Sequence, residues 1–151
     1  MTKDILISIK GLQFEGPSEN KRKENVELIV PGTYYEKNGT RYLVYEEEME
    51  GVPDKIRTMM KLRPERVELS KSGAMSVSMV FEKGEKNLSR YSTPFGGLLI
   101  GIDTTDIKID ENDDNIKIDI YYHLDLNYEY FAVCRVMVRA CSREMGAGMF
   151  T

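Results

Sequence analysis

The sequence predicts an all-β fold, a closed up-and-down antiparallel β-barrel of about 8–10 strands. Three observations predict it. Apolar and polar residues alternate along most of the chain, turn-forming pairs punctuate the runs at short intervals, and no segment carries a convincing helical period.

The elements follow in order. Ile5, Ile7 and Ile9 alternate with Leu6, Ser8 and Lys10. A polar connection over 16–25 leads to Val26, Leu28 and Val30, with the strand pattern continuing to Tyr35. Pro31-Gly32 interrupts it; proline cannot donate to a ladder and glycine permits a kink, so a bulge or corner is expected there. Lys37-Asn38-Gly39 is a hairpin signal. Leu43, Tyr45, Glu47 and Met49 then share one face of a strand, opposite Glu46, Glu48 and Glu50.

Beyond Glu50-Gly51-Val52-Pro53, alternation resumes at Ile56-Thr58-Met60-Leu62 and, past Ser72-Gly73, at Met75-Val77-Met79-Phe81. Lys83-Gly84 is another turn. Thr93-Pro94-Phe95-Gly96-Gly97 reads as a second corner, after which Leu98-Ile100-Ile102 alternate. Asp113-Asp114-Asn115 precedes the cleanest run, in which Ile116, Ile118, Ile120, Tyr122, Leu124 and Leu126 fall on one face. In the last strand, Tyr130, Ala132, Cys134, Val136 and Val138 share one face; Phe131, Val133, Arg135, Met137, Arg139 and Cys141 share the other. Short hairpin connections favour a barrel meander over Greek-key crossings, and closure removes the edges that invite aggregation.

Composition narrows the function classes. The chain has 151 residues, with 21 Lys and Arg against 25 Asp and Glu, a net −4 with its single His neutral. That balance lacks the basic face of a nucleic-acid binder, and the short patch Lys21-Arg22-Lys23 is flanked by acids. No run approaches the ~20 apolar residues of a membrane span, and the opening apolar run is too short for a signal segment. Cys134 and Cys141 lie seven apart on one strand and so face opposite ways. Two free thiols in a reducing cytoplasm are expected.

Chemistry-bearing motifs are sparse. Asp110-Glu111-Asn112-Asp113-Asp114 has the spacing D-x-N-x-D, but a calcium loop would want Gly at 115 and Glu at 121, where Asn115 and Tyr121 stand. An acidic hairpin tip is the better reading. His123 cannot supply a zinc site alone and falls on the polar face with Asp119, Tyr121 and Asp125. No nucleophile motif or phosphate loop is present, so no catalytic residue, metal or cofactor is expected. Glu47 stands out because its face is the apolar one, and an inward carboxylate must find a partner or shift its pKa.

The order Gly32-Thr33, Asn38-Gly39, Tyr42-Leu43-Val44-Tyr45-Glu46-Glu47, Ser72-Gly73-Ala74-Met75, Tyr91-Ser92-Thr93-Pro94-Phe95-Gly96 and Thr104 resembles the YwiB-like family of uncharacterised bacterial proteins. The similarity runs from about residue 4 to residue 142. The resemblance implies a calycin-like barrel, related in architecture to lipocalins and fatty-acid-binding proteins, and small cytosolic proteins of Gram-positive bacteria. It implies no activity. The division expected is one barrel domain over 1–143 and a flexible C-terminal tail over 144–151.

Two readings of function stay open. One is a barrel that binds a small apolar or amphipathic ligand in its lumen, with Tyr45, Glu47, Tyr91, Thr93 and Tyr122 as polar contacts. The other is a filled barrel acting as a protein-interaction module or homodimer, motivated by a last strand apolar on both faces. A third, an enzyme, would need Glu47 beside a second titratable group within ~3 Å.

Overall fold

The computed structural model describes residues 2–11, 27–48, 51, 53–73, 76–93, 96–112 and 114–143; the expected tail 144–151 lies outside them. The described residues form ten strands: β1 (Thr2–Lys10), β2 (Glu27–Lys37), β3 (Thr40–Glu48), β4 (Lys55–Arg63), β5 (Arg66–Gly73), β6 (Ser76–Glu82), β7 (Lys86–Thr93), β8 (Gly96–Glu111), β9 (Asn115–Leu126) and β10 (Glu129–Ser142). Each pairs antiparallel with its sequence neighbour, and β1 pairs with β10 to close the ring. This is the up-and-down barrel that the alternation predicts. No helix among the described residues is long and apolar enough to cross a membrane.

We call the end reached at Lys10, Glu48 and Gly73 the upper end. The inward row of each strand supplies the core. Ile5, Ile7 and Ile9 of β1, Leu43 and Tyr45 of β3, Met60 and Leu62 of β4, Val67 and Leu69 of β5 are buried. So are Val77, Met79 and Phe81 of β6, Ile100 and Ile102 of β8, Ile116 to Leu124 in alternation on β9, and Val136 and Val138 of β10. Mid-barrel, the Phe81 ring meets Tyr122 edge-on with centroids 5.0 Å apart, so side chains from β6 and β9 touch inside the wall. Removing such surface from water, at ~25 cal/mol per Å², is the main force holding the cylinder together.

Turn chemistry sets the register. Asn38 and Gly39 both take positive φ, 53° and 79°, the geometry of a two-residue turn that matches strand twist. Asn127 and Tyr128, with φ of 51° and 70°, make the β9–β10 turn, and Asn127 accepts a bond from the Leu99 N–H at 3.1 Å through its side chain. Neither that turn nor the one at Pro64-Glu65 carries an Asn-Gly type signal.

The expected corners resolve differently. At Pro31-Gly32 the β1–β2 register runs unbroken, Leu6 to Pro31 and Ile5 to Gly32, so there is no bulge there. The pair marks the point where β2 gains its second partner, because β3 pairing begins at Gly32. Proline is tolerated because the β3 side of the strand has no partner before that point. Residues 93–97 are a strand-to-strand connection: Thr93 of β7 pairs with Gly96 of β8, and 94–95 lie outside the described residues.

The register shifts fall instead between Thr104 and Asp106 of β8 and between Tyr130 and Ala132 of β10. The first explains why inward residues change from even (Ile100, Ile102, Thr104) to odd (Ile107, Ile109). The second corrects the facing of Tyr130. It pairs with Asp125 on the outer face, whereas Ala132 pairs with inward Leu124. An extra residue in one strand inverts every assignment on one side of it.

Candidate functional site

Inside the upper end, polar residues interrupt the apolar lining on three adjacent strands. Tyr45 on β3 pairs with Thr58 on β4, which pairs with Lys71 on β5, and Glu47 stands one inward step above Tyr45. Strand parity thus points all four side chains inward. Glu47 Oε2 accepts from the Thr58 hydroxyl at 3.0 Å and from Lys71 Nζ at 2.9 Å. The Glu47 and Lys71 side chains are 20% and 16% exposed, shielded from water without being sealed. Glu46 and Glu48, on the same strand, are exposed on the outside.

The electrostatics follow from that enclosure. The Tyr45 phenol is pushed well above its usual range, first by burial and then by the Glu47 carboxylate, with a Thr58 hydrogen bond pulling the other way. Tyr45 therefore stays a neutral donor across the physiological range. Lys71 meets the distance that an acid–base pair would need, but it forms an ion pair with Glu47, and each charge answers the other. The cluster is built to hold polar atoms in place. Lys71 has three N–H donors and Glu47 a second oxygen, so both retain bonding capacity beyond their own contact.

The sequence-derived residues divide by position. Tyr45 and Glu47 belong to this cluster. Tyr91 stands opposite Val77, itself opposite Lys71, so its backbone lies on the same ring of the barrel, with Thr93 nearer the upper end. The side chains of Tyr91 and Thr93 are outside the described residues. Tyr122 lies deeper, against Phe81 and hydrogen-bonded to Cys134; burial first, and then the thiol, push its phenol far above the usual value. It is a core residue of the mid-barrel rather than of the upper cluster.

Thr58 and Lys71 were not singled out from the sequence. Their signal is present, in Val67-Leu69-Lys71 and Ile56-Thr58-Met60, where a polar residue occupies the inward beat of an alternation. Three further inward polar groups lie on β7 and β8. Asn87 Nδ2, Ser89 Oγ and Thr104 Oγ1 are buried with no hydrogen-bond partner among the described residues, and Thr104 is 0% exposed. Asn87 and Ser89 pair with inward Ile102 and Ile100, which fixes their facing.

The lower end is closed differently. Arg41 of β3 and Glu111 of β8 form an ion pair across the mouth, with the Arg41 side chain 13% exposed. Beside it lies a cleft of ≈ 70 Å³ lined by Lys3, Tyr34, Glu111, Asp114 and Cys141 among others. The acidic tip there is a turn, in which the Asp114 N–H donates to Asn112 Oδ1 at 3.0 Å. Among the described residues, no group of three or more His, Cys, Asp or Glu side chains is arranged to hold a metal.

Comparison with known proteins places the fold. The uncharacterized beta-barrel protein YwiB of Bacillus subtilis (strain 168) is 28% identical over 111 residues, covering 74% of this chain and 77% of that one. The crystal structure of the ywiB protein from Bacillus subtilis superposes with a TM-score of 0.77 over 93% of this chain and 92% of that one, at 23% identity. A family model described as a domain of unknown function, DUF1934, matches residues 7–138. That span runs from β1 into β10, nearly the whole wall, and the chain belongs to this family.

Proposed function

We propose that this protein is a cytoplasmic small-molecule-binding barrel with its site at the upper end. The occupant is amphipathic: its polar head meets Glu47, Lys71, Thr58 and Tyr45, and its apolar part lies along the inner wall. One observation carries the reading. A core built almost wholly of Ile, Val, Leu, Met and Phe breaks its pattern on three neighbouring strands at the same level, with an ion pair that leaves donors and acceptors spare. Burying charges is costly, and an ion pair of this kind is weak support for stability by itself. Recognition of a ligand gives it a use. Tyr91 and Thr93 are proposed as further contacts from β7, and Tyr122 as part of the floor. Cytoplasmic residence rests on two free thiols, Cys134 and Cys141, at positions where neither is paired.

The test uses native mass spectrometry of the purified full chain, followed by calorimetric titration with dodecanoate. Binding is expected in the wild type, and Lys71→Met should weaken it about tenfold through loss of a charged hydrogen-bond donor. Absence of both a co-purifying small molecule and dodecanoate binding would sink the proposal.

A second reading has its own observation. Leu88, Tyr130 and Val133 are 54%, 64% and 63% exposed, and Leu88, Gly101, Asp125 and Tyr130 follow one another in register across the outer face. Exposed apolar groups on one outer face suit a protein contact, such as a homodimer. Light scattering decides it: Val133→Glu should shift the mass only if that face is buried between copies.

A further inference from the structure

One stretch of the barrel wall is not laced. Strands β5–β6 pair over six residues and β7–β8 over eight, but β6 and β7 pair only at Ser76–Ser92 and Val77–Tyr91. Below that, the turn closes through the Glu85 N–H to the Glu82 carbonyl at 2.9 Å. The register of the two upper pairs, extended downward, sets Met79 opposite Ser89 and Phe81 opposite Asn87. Residues 78–82 and 86–90 run side by side below those two pairs without a ladder pairing between them.

On the inner side of this stretch stand the groups whose bonds are unmade. Ser89 Oγ and Asn87 Nδ2 belong to the β7 edge itself. Thr104, wholly buried, pairs with Tyr122, and its backbone holds the turn from below through Gly84 N–H to Thr104 O at 2.9 Å. Phe81 on the other edge contacts that same Tyr122. So one patch of inner wall combines an amide donor and two hydroxyls, all buried, with an interrupted ladder. A native core satisfies almost all such groups, and an exception of this density calls for a partner.

We propose that Asn87 and Ser89 in this patch bind a neutral carbonyl oxygen of the ligand held at the upper end. The class follows from the groups. Nδ2 is a donor only and the hydroxyls can donate, so an acceptor is required. No cationic side chain is among them, and a charge buried there would go uncompensated, so the acceptor is neutral. The spacing also follows. Tyr91 shares a ring with Lys71, and Ser89 and Asn87 lie two and four residues below it, about 7 and 13 Å at the rise of a strand. The ligand thus carries an anionic or polar head and a ketone, ester or amide part-way along its length. This inference rests on the binding reading above.

The experiment compares dodecanoate with a dodecanoate bearing a mid-chain ketone, in the wild type and in Asn87→Leu/Ser89→Ala. In the wild type the keto acid should bind about tenfold more tightly, the value of one or two hydrogen bonds to buried groups. The double variant should lose that preference while keeping its affinity for dodecanoate. Without ligand it should also melt about 2–4 °C higher, because groups with no protein partner have been removed. A wild type that binds both acids equally, or a variant that keeps the preference, overturns this site and leaves the upper-end reading standing. A variant that melts lower assigns these two side chains a structural role and likewise overturns it. A wild type that binds neither acid overturns this site, and with no co-purifying small molecule it overturns both proposals together.

Discussion

At the residue scale, the outer surface is stabilised by charges that lie across strands. Arg135 donates two bonds to Asp119, at 2.9 and 2.7 Å, and its guanidinium lies 5.0 Å from the Tyr121 ring. The bidentate contact, more than the charge alone, holds the Asp119 carboxyl below its usual range. A folded pKa below the unfolded value near ~3.9 means stability that is present above that pH and lost as pH falls through the folded pKa. Asp119→Asn should therefore cost about 0.5–1 kcal/mol at pH 7, a modest figure because the pair is partly hydrated. In urea titrations the gap between variant and wild type should close below about pH 4. A gap unchanged with pH would show that the pair contributes through packing alone.

The same scale shows what could be read in the sequence. Glu47 was legible because it occupies the apolar beat of a strand, and the structure gives it the partner that such a position demands. Lys71 was not, since Ser72-Gly73 beside it has the chemistry of a turn while β5 in fact continues through Gly73. Asn87, Ser89 and Thr104 were hidden by the rule that makes the alternation useful. Polar residues are taken to face water, and only pairing to Ile102, Ile100 and Tyr122 reveals that these three face in.

At the element scale, β2 is fixed by a close approach. A methyl group at Gly32 would meet Ile7 Cδ1 at 2.6 Å and the Val44 carbonyl oxygen at 2.7 Å. Gly32 is needed for space rather than for backbone freedom, which is why a bulge was not the right inference from it. Gly32→Ala should destabilise the barrel by about 1–3 kcal/mol, the usual range for overpacking. Adding Ile7→Val removes one of the two clashes and should restore only part of that, because the carbonyl belongs to the β3 backbone. Full restoration by Ile7→Val, measured by chemical unfolding, would contradict the role given to Val44. Strand identities and most facings were legible from alternation; the two register shifts were not, since an unpaired extra residue such as Thr105 carries no distinctive chemistry.

At the scale of the whole molecule, the two ends of the cylinder are unlike. The upper end keeps spare bonding capacity at Glu47 and Lys71, whereas the lower end is spanned by Arg41 and Glu111 from strands five apart in the ring. If that pair is a brace, Arg41→Met should cost about 0.5–1 kcal/mol, a modest figure because Glu111 is 45% exposed and stays partly hydrated without its counter-charge. The double substitution Arg41→Met/Glu111→Leu should recover most of the loss, because replacing both charges by apolar groups removes the unmet charge. Thermal melts of the single and double variants distinguish a brace from a bystander, and a single variant as stable as the wild type would settle for the latter.

The seam between β1 and β10 has a temporal consequence. On the ribosome the first strand emerges with one of its two neighbours, β2, soon available, and the other is the last strand to be synthesised. Ile5, Ile7 and Ile9 must wait, half-matched, until residues 137–142 arrive. A contact between the first and last strands of the ring carries the largest loop-closure cost in the barrel and slows folding accordingly. During that wait β1 offers an open, isoleucine-rich edge, a hazard that the finished ring no longer has.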